Sequence, residues 1–176
     1  MKLAVALLAV LACCAAPAAA AAVTIETAFP PRERADAMLV DAIGRARSSI
    51  LVQAYTFSSR TIATALIDAR RRGVQVTVIA DRAETERQPG GAIAMLGAAR
   101  VPVYLDGQHE AAHNKVMVFD AGDPGCAVAT GSYNFTYSAQ HRNAENLLLV
   151  RGDAALCARY QRNWEQHRAH SLPWRK

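Results

Sequence analysis

The sequence predicts a single α/β domain in which a mixed, largely central β-sheet carries helices on both faces. The chain has 176 residues, of which 52% are hydrophobic, which is enough for one domain with a substantial core and too short for two. Helix-type and strand-type patterns alternate along the chain. Neither an internal repeat nor a long low-complexity linker follows the N-terminal segment. These three observations favour a layered α/β fold.

The first half of the chain predicts two helix-then-strand pairs. Between residues 30 and 47, apolar residues recur at steps of three and four, as on a helix with one buried face. Residues 49–57 are rich in β-formers and predict a strand. Residues 62–73 predict a helix that ends at a glycine, and residues 74–81 predict an apolar strand.

The second half continues the alternation. Residues 91–100 predict a helix and 101–106 a strand, while 113–120 and 126–136 predict two strands joined by the turn A-G-D-P-G. Residues 153–168 predict a closing helix with Leu156, Tyr160 and Trp164 on one side. Helices placed between strands in this way are expected to cover both faces of the sheet.

Residues 1–22 predict a secretory signal peptide, followed by the domain at 23–176. Lys2 precedes an apolar run and then small residues, so we expect cleavage between Ala20 and Ala22. A retained anchor fits less well, because a bilayer span needs about 20 apolar residues and this run is shorter and rich in alanine. A lipoprotein modified at Cys13 also fits less well, because Leu11 departs from that pattern. We expect a periplasmic or secreted protein with no stable membrane span after cleavage.

The charge and the cysteine content limit which partners and which cellular compartment are expected. The formal net charge of +5 favours a polyanion such as nucleic acid or an anionic membrane surface, although it also serves solubility. Two of the four cysteines lie in the predicted leader, which leaves Cys126 and Cys157 in an oxidising compartment. They either form a disulfide or remain as buried thiols, and the sequence leaves both open.

The segment H-N-K-V-M-V-F-D at residues 113–120 carries the only lysine away from the chain ends. The period of two along a strand places His113 and Lys115 on one face, with Val116 and Val118 on the other. An imidazole beside a compact ammonium suits phosphate chemistry, for which a guanidinium is not an equivalent replacement.

Polar residues also occur on the strand that follows. Ser132 and Asn134 share one face of the predicted strand 126–136. If the two strands pair as a hairpin, these two side chains converge with His113 and Lys115 on one pocket.

The pattern His113-x-Lys115-x4-Asp120, followed by Gly131-Ser132-x-Asn134, resembles the signature of the phospholipase D superfamily. The segments A-Y-T-F-S, R-R-R-G-V-Q-V-T-V-I-A-D, G-S-Y-N-F-T and N-A-E-N resemble its small bacterial endonucleases, which carry one such motif per chain and work as dimers. The chain departs from the family in a longer spacer between the aspartate and the glycine, which we interpret as a longer hairpin turn.

The resemblance implies a reaction in two displacements. One histidine attacks phosphorus, and a second protonates the leaving oxygen and then activates water. Because the motif supplies only His113, the resemblance implies a homodimer in which the two copies of His113 meet across a two-fold axis.

The resemblance also assigns roles to the other residues of the motif. Lys115, Ser132 and Asn134 would bind the non-bridging phosphate oxygens. Glu145 would accept a hydrogen bond from the second ring nitrogen of the histidine. Strand alternation places Asp120 away from the histidine, so we interpret Asp120 as structural support.

The leading hypothesis is therefore an exported, metal-independent phosphodiesterase that cuts DNA, and also RNA, as a non-specific endonuclease. A phospholipase D acting on lipid head groups is the alternative, and a non-catalytic nucleic-acid-binding protein is a third. No cofactor is expected, and no metal-binding motif such as His-Glu-x-x-His is present. His109 is left as a loop histidine with no assigned use. Arg70–Arg72 is interpreted as a basic helix end.

Overall fold

The computed structural model describes residues 22–175, so nearly all of the predicted signal peptide lies outside the described residues. The strands are β1 (Thr24–Ala28), β2 (Ser49–Ala54), β3 (Gln75–Asp81), β4 (Val103–Asp106), β5 (Lys115–Phe119), β6 (Ala127–Gly131), β7 (Leu147–Arg151) and β8 (Leu172–Pro173). The helices are α1 (Ala35–Arg45), α2 (Arg60–Arg71), α3 (Arg82–Glu86), α4 (Ala92–Ala98), α5 (Tyr137–His141) and α6 (Ala154–His170). Within residues 22–175, no helix combines the length and the apolar composition that a membrane crossing requires.

The strands form one mixed sheet in the order β1-β7-β6-β5-β2-β3-β4-β8. Strands β2, β3 and β4 are parallel, whereas β5 runs antiparallel to both β2 and β6. The carboxyl ends of β2, β3, β4 and β6 therefore meet the amino ends of β5 and β7 at one edge. We call this the site edge, and it runs through Ala54, Asp81, Asp106, Lys115 and Gly131.

Helices cover both faces of the sheet, which confirms the predicted α/β class. On one face, the buried side chains of α1, α2 and α4 join the larger core cluster, as Leu39, Leu66 and Leu96 illustrate. On the other face, α6 packs against β5 and β6 in a smaller cluster. Trp164 of α6 donates an indole hydrogen bond to the carbonyl of Val52, at 3.0 Å, and so attaches this helix to the central strand.

A disulfide reinforces the second face. Cys126 and Cys157 are joined with an S–S distance of 2.10 Å, across a sequence separation of 31 residues. Of the two states that the sequence left open, the structure has the disulfide. The bond ties the beginning of β6 to α6, at the end of the strand opposite the site edge.

Two features of the fold differ from the sequence prediction. The strand predicted for 126–136 ends at Gly131, so Ser132 and Asn134 lie in the connection that follows it. A Cβ atom at Gly131 would collide with the backbone carbonyl of Asn146, so this position requires glycine. The short edge strands β1 and β8 were not predicted, because exposed edge strands lack a strong hydrophobic pattern.

Candidate active site

His113 and Lys115 lie together at the amino end of β5, as the strand alternation predicted. The ammonium of Lys115 is 2.9 Å from Nδ1 of His113 and donates to the carbonyl oxygen of His113 at 2.8 Å. Lys115 is only 6% exposed, whereas His113 is exposed. The pair therefore presents an accessible imidazole above a buried positive charge.

Tyr55 packs against both members of this pair. The ring centroid of Tyr55 is 4.2 Å from that of His113, and the ammonium of Lys115 is 4.8 Å from the Tyr55 centroid. The backbone N–H of Tyr55 donates to the carbonyl of Asn114 at 2.8 Å, which extends the pairing of β2 with β5 to the site edge. The sequence analysis did not assign Tyr55 to the site, although the ladder between these strands brings it there.

The environment of Lys115 contains opposing influences on its pKa. Burial lowers the pKa of the Lys115 ammonium, and the nearby Glu145 carboxylate raises it, with a net result below the ordinary value. Glu145 belongs to the segment before β7, and its bond to Ser132, which follows β6, holds the carboxylate at the site edge where β5 begins. An incoming phosphate would supply the negative charge that a partly desolvated ammonium favours.

Glu145 is fixed by Ser132 and Asn143. The Ser132 hydroxyl donates to Glu145 Oε2, and Asn143 Nδ2 donates to Glu145 Oε1 at 3.0 Å. The Ser132 oxygen also accepts from the backbone N–H of Asn146 at 3.0 Å. The expected hydrogen bond from a ring N–H of His113 to Glu145 is not formed in this arrangement, because the carboxylate accepts from Ser132 and Asn143 and the imidazole faces Lys115.

Asn134 lies in the connection after β6 with its side-chain oxygen buried. This Oδ1 atom has no hydrogen-bond partner among the described residues. The neighbouring Phe135 is anchored to the β2–α2 connection, because its carbonyl accepts from the backbone N–H groups of Ser58 and Ser59 at 3.0 and 2.9 Å. The Asn134 amide is thus held in place with unmet hydrogen-bonding capacity.

Asp120 lies at the opposite end of β5, about 20 Å along the strand from His113. Its carboxylate accepts hydrogen bonds from the backbone N–H groups of Arg47, Ser48 and Ser49, at 2.7–3.1 Å. Burial raises the pKa of Asp120, but these hydrogen bonds outweigh it and leave the pKa below its ordinary value. Asp120 contacts the α1–β2 connection and not the reacting groups.

A second polar group on the site edge was missed by the sequence analysis. Asp106, at the end of β4, contacts three histidines, one of which is the unassigned His109. The other two, His167 and His170, occupy the last turn of α6. Their spacing of three residues on one helix face was the available signal, but the partner segment lies some 60 residues earlier in the chain.

Comparisons with known proteins agree with this geometry. Residues 39–168 match a family model described as cardiolipin synthase, PLD-like domain. The chain is 38% identical over 147 residues to a phospholipase D of Rickettsia bellii, covering 84% of this chain and 70% of the relative. It is 37% identical over 129 residues to the mitochondrial cardiolipin hydrolase of Xenopus laevis, covering 73% of this chain and 58% of the relative.

A solved structure supports the same assignment. The fold matches the phospholipase D family member Nuc from Salmonella typhimurium with a TM-score of 0.81 and 26% sequence identity, covering 88% of this chain and 100% of Nuc. The family match spans most of the domain, and the His113–Lys115 pair occupies the accessible edge of its sheet. The chain therefore belongs to the phospholipase D superfamily and is a phosphodiesterase-type enzyme of that superfamily.

Proposed function

We propose that the protein is an exported, metal-independent phosphodiesterase that acts as a non-specific endonuclease on DNA and RNA. The observation that carries the proposal is the accessible imidazole of His113 directly above the buried ammonium of Lys115. This combination supplies a nucleophile and a fixed positive charge for the phosphate at one place.

In the first displacement, a ring nitrogen of His113 forms a bond to phosphorus as the bond from phosphorus to the leaving oxygen breaks. The leaving oxygen takes a proton from the partner's His113, which then removes a proton from water. The activated water attacks phosphorus, and the phosphorus–nitrogen bond breaks. Lys115 and Asn134 stabilise the charge on the non-bridging oxygens in both steps.

The catalytic tautomer requires a change from the arrangement described above. The Lys115 ammonium lies 2.9 Å from Nδ1 and 3.3 Å from Nε2 of His113, so neither ring nitrogen is directed at a substrate in this arrangement. When phosphate replaces the imidazole as the partner of Lys115, the ring exchanges its proton with solvent so that Nδ1 carries it, and the ring is free to turn this Nδ1–H toward Glu145. This change releases Nε2 as the nucleophile, with Glu145 stabilising the imidazolium that forms.

A homodimer would supply the second histidine. Two large exposed apolar side chains lie near the site edge, Phe29 at 54% and Tyr137 at 62% exposure. Phe29 follows the end of β1, and Tyr137 begins α5 after the Ser132–Asn134 connection. Their burial between two copies would be consistent with an interface beside His113.

Mixed dimers provide a test of this arrangement. The protein is allowed to exchange subunits with an equal amount of His113→Ala protein. Activity per unmodified chain should fall to about half, because half of the unmodified chains then sit in mixed dimers that have a single copy of His113. Unchanged activity after demonstrated exchange would mean that each chain reacts alone. An equal amount of Arg45→Ala protein is the matched control, since this exposed residue ends α1, at the far end of the sheet from the site edge.

Nucleic acid fits the surroundings of the site better than a lipid surface does. The helix ends and connections that follow the strands at the site edge carry arginines that can contact a phosphate backbone, namely Arg60, Arg82, Arg87 and Arg142. Arg142 also lies 5.7 Å from the ring of Tyr137, an exposed aromatic side chain on which a base could stack. The positive formal net charge agrees with this choice.

Phospholipid hydrolysis is the second candidate function, and the names of the curated relatives favour it. The same phosphate site would then act on a lipid head group. A non-catalytic nucleic-acid binder is less consistent with the complete set of reacting side chains, because binding alone does not require a nucleophile.

The deciding experiment compares the two substrates with the same samples. The purified protein, in excess chelator, should nick plasmid DNA and degrade RNA, while hydrolysing phosphatidylcholine and cardiolipin vesicles far more slowly. The His113→Ala protein should do neither. Vesicle hydrolysis without nicking would transfer the assignment to phospholipase, and binding of DNA without either reaction would support the non-catalytic binder.

A further inference from the structure

The end of β4 carries a cluster of four side chains that the phosphodiester reaction does not use. The side chain of Asp106 is completely buried, although it is a carboxylate. Its Oδ2 atom lies 3.1 Å from Nδ1 of His109, 2.8 Å from Nδ1 of His167 and 3.1 Å from Nε2 of His170. Three imidazole nitrogens therefore converge on one oxygen.

The spacing of these atoms suits a small metal ion. One donor atom from each of the four residues lies within 4.8 Å of all the others. Tetrahedral zinc with bonds of about 2.0–2.1 Å requires donor atoms about 3.4 Å apart. The oxygen-to-nitrogen separations of 2.8–3.1 Å are already close to this value. The imidazole nitrogens lie within 4.8 Å of one another, so an ion would draw them together by up to about 1.4 Å.

We propose that Asp106, His109, His167 and His170 bind one divalent transition-metal ion of the zinc class. Imidazole nitrogens with one carboxylate are a donor set that such ions prefer over calcium or magnesium, which favour oxygen ligands. Four protein ligands fill a tetrahedral shell and leave no position for substrate, so the ion has a structural role.

The second carboxylate oxygen of Asp106 is already held by the protein. Oδ1 accepts from the backbone N–H of Gln108 at 3.1 Å, which directs Oδ2 at the histidines. An outer partner of this kind orients a metal ligand before the ion arrives. The three histidine side chains are 44%, 15% and 24% exposed, so an ion can enter from solvent without opening the core.

The ion would connect three separate parts of the chain. Asp106 ends β4, His109 lies in the β4–β5 connection, and the other two ligands belong to the last turn of α6. The same connection leads into His113 and is held near its far end by Asp81, whose Oδ2 accepts from the backbone N–H of Ala112 at 2.9 Å. Binding would therefore stabilise the segment that presents the catalytic histidine.

The cluster is distinct from the reaction centre. Strands β3 and β2 separate β4 from β5, which places the ion about 14 Å from Lys115 at the usual strand spacing. The ion would act on stability and on the position of the connection, and the chemistry at phosphorus would not pass through it.

The test uses metal binding itself as the readout. The protein is prepared without a polyhistidine tag, stripped with chelator, and titrated with Co²⁺ and then with Zn²⁺. We expect one equivalent of Co²⁺ to give the intense visible absorption of a tetrahedral site, and Zn²⁺ to displace it with a Kd below about 1 μM. Saturating Zn²⁺ should raise the Tm by about 5–15 °C.

Three variants locate the site. His167→Ala and His109→Ala should each lose the Co²⁺ absorption and most of the Tm shift, and His109 is on an exposed connection where the fold tolerates the change. His141→Ala should bind as the unmodified protein does. Circular dichroism of the stripped proteins checks that each variant is folded.

Two results would overturn the proposal. The first is the absence of stoichiometric binding by the folded, unmodified protein, in which case the cluster is a hydrogen-bonded group only. The second is binding that survives in both His109→Ala and His167→Ala, which would place the ion elsewhere.

Discussion

The two ends of β5 carry residues of the same sequence motif but differ in how fully their polar groups are bonded. At the far end, the Asp120 carboxylate accepts from three consecutive backbone N–H groups. At the site edge, His113 is exposed, Lys115 is buried with the imidazole as its side-chain partner, and Asn134 retains an unbonded oxygen. The polar groups at the far end find all their hydrogen-bond partners within the chain, whereas those at the site edge do not.

This difference separates stability from chemistry along one strand. Groups that are satisfied by the chain itself lower the free energy of the folded state. The exposed imidazole of His113 and the ammonium of Lys115, whose side-chain partner a phosphate can replace, are available to a substrate, and the cost of holding them is carried by the rest of the fold. Substitutions at the two ends should therefore affect different measurements.

The largest effect is expected for His113→Ala. Removal of the nucleophile should lower phosphodiester cleavage by at least about 10⁴-fold, with little change in Tm because the side chain is exposed. Nicking rates and thermal unfolding of the same sample measure both quantities. A large fall in Tm together with residual cleavage would show that His113 stabilises the fold and is not the nucleophile.

Lys115→Arg tests whether the buried charge must be compact. The guanidinium is larger than the ammonium that contacts Tyr55 and His113, so cleavage should fall by about 10²–10³-fold although the charge is kept. The measurement is kcat at saturating DNA. An active Lys115→Arg enzyme would show that any cation at this position suffices.

The disulfide provides the corresponding test at the far end. Replacing both Cys126 and Cys157 with alanine removes a cross-link that closes a 31-residue separation and should lower the free energy of unfolding by about 3–4 kcal/mol. Urea unfolding gives this value. At a temperature where the variant is folded, its cleavage rate should be close to that of the unmodified protein, and a rate loss like that of Lys115→Arg would contradict the separation.

Asp120→Asn should have a smaller effect that depends on pH. The folded-state pKa of Asp120 lies below its ordinary value, so its stabilisation is present above about pH 4 and is lost as the pH falls through the folded value. We expect a loss of about 1 kcal/mol at pH 7, because solvent partly replaces the lost bonds at this exposed turn. The difference in the free energy of unfolding between the two proteins should disappear at low pH. A difference that stays constant with pH would show that the effect comes from packing and not from the charge of Asp120.

The sequence was sufficient for features that depend on local periodicity. The alternation of helices and strands follows from the periods of 3.6 and of two in the apolar pattern, and the contact of His113 with Lys115 agrees with the period of two. Asp120 is separated from His113 because it lies beyond the other end of β5, which the repeat of two does not show. The spacing could not show that β6 stops at Gly131, because the close approach of the Asn146 backbone arises only in the folded sheet.

Contacts between distant segments could not be predicted from the sequence either, because they too arise only in the folded protein. Tyr55 reaches His113 through strand pairing, and Asp106 meets His167 through the packing of α6 across the sheet. The proposed hydrogen bond from His113 to Glu145 depends on the orientation of one imidazole, which spacing along the chain does not determine. Side-chain orientation is fixed by packing and hydrogen bonding in three dimensions.

The most direct test of the central claim is to trap the covalent intermediate. Internally labelled DNA is mixed with excess protein and chelator and quenched at short times in alkali, where a phosphohistidine persists. We expect the unmodified protein to carry label that acid then releases, and the His113→Ala protein to carry none. Complete cleavage by the unmodified protein with no labelled protein at any time would contradict attack by His113 on phosphorus.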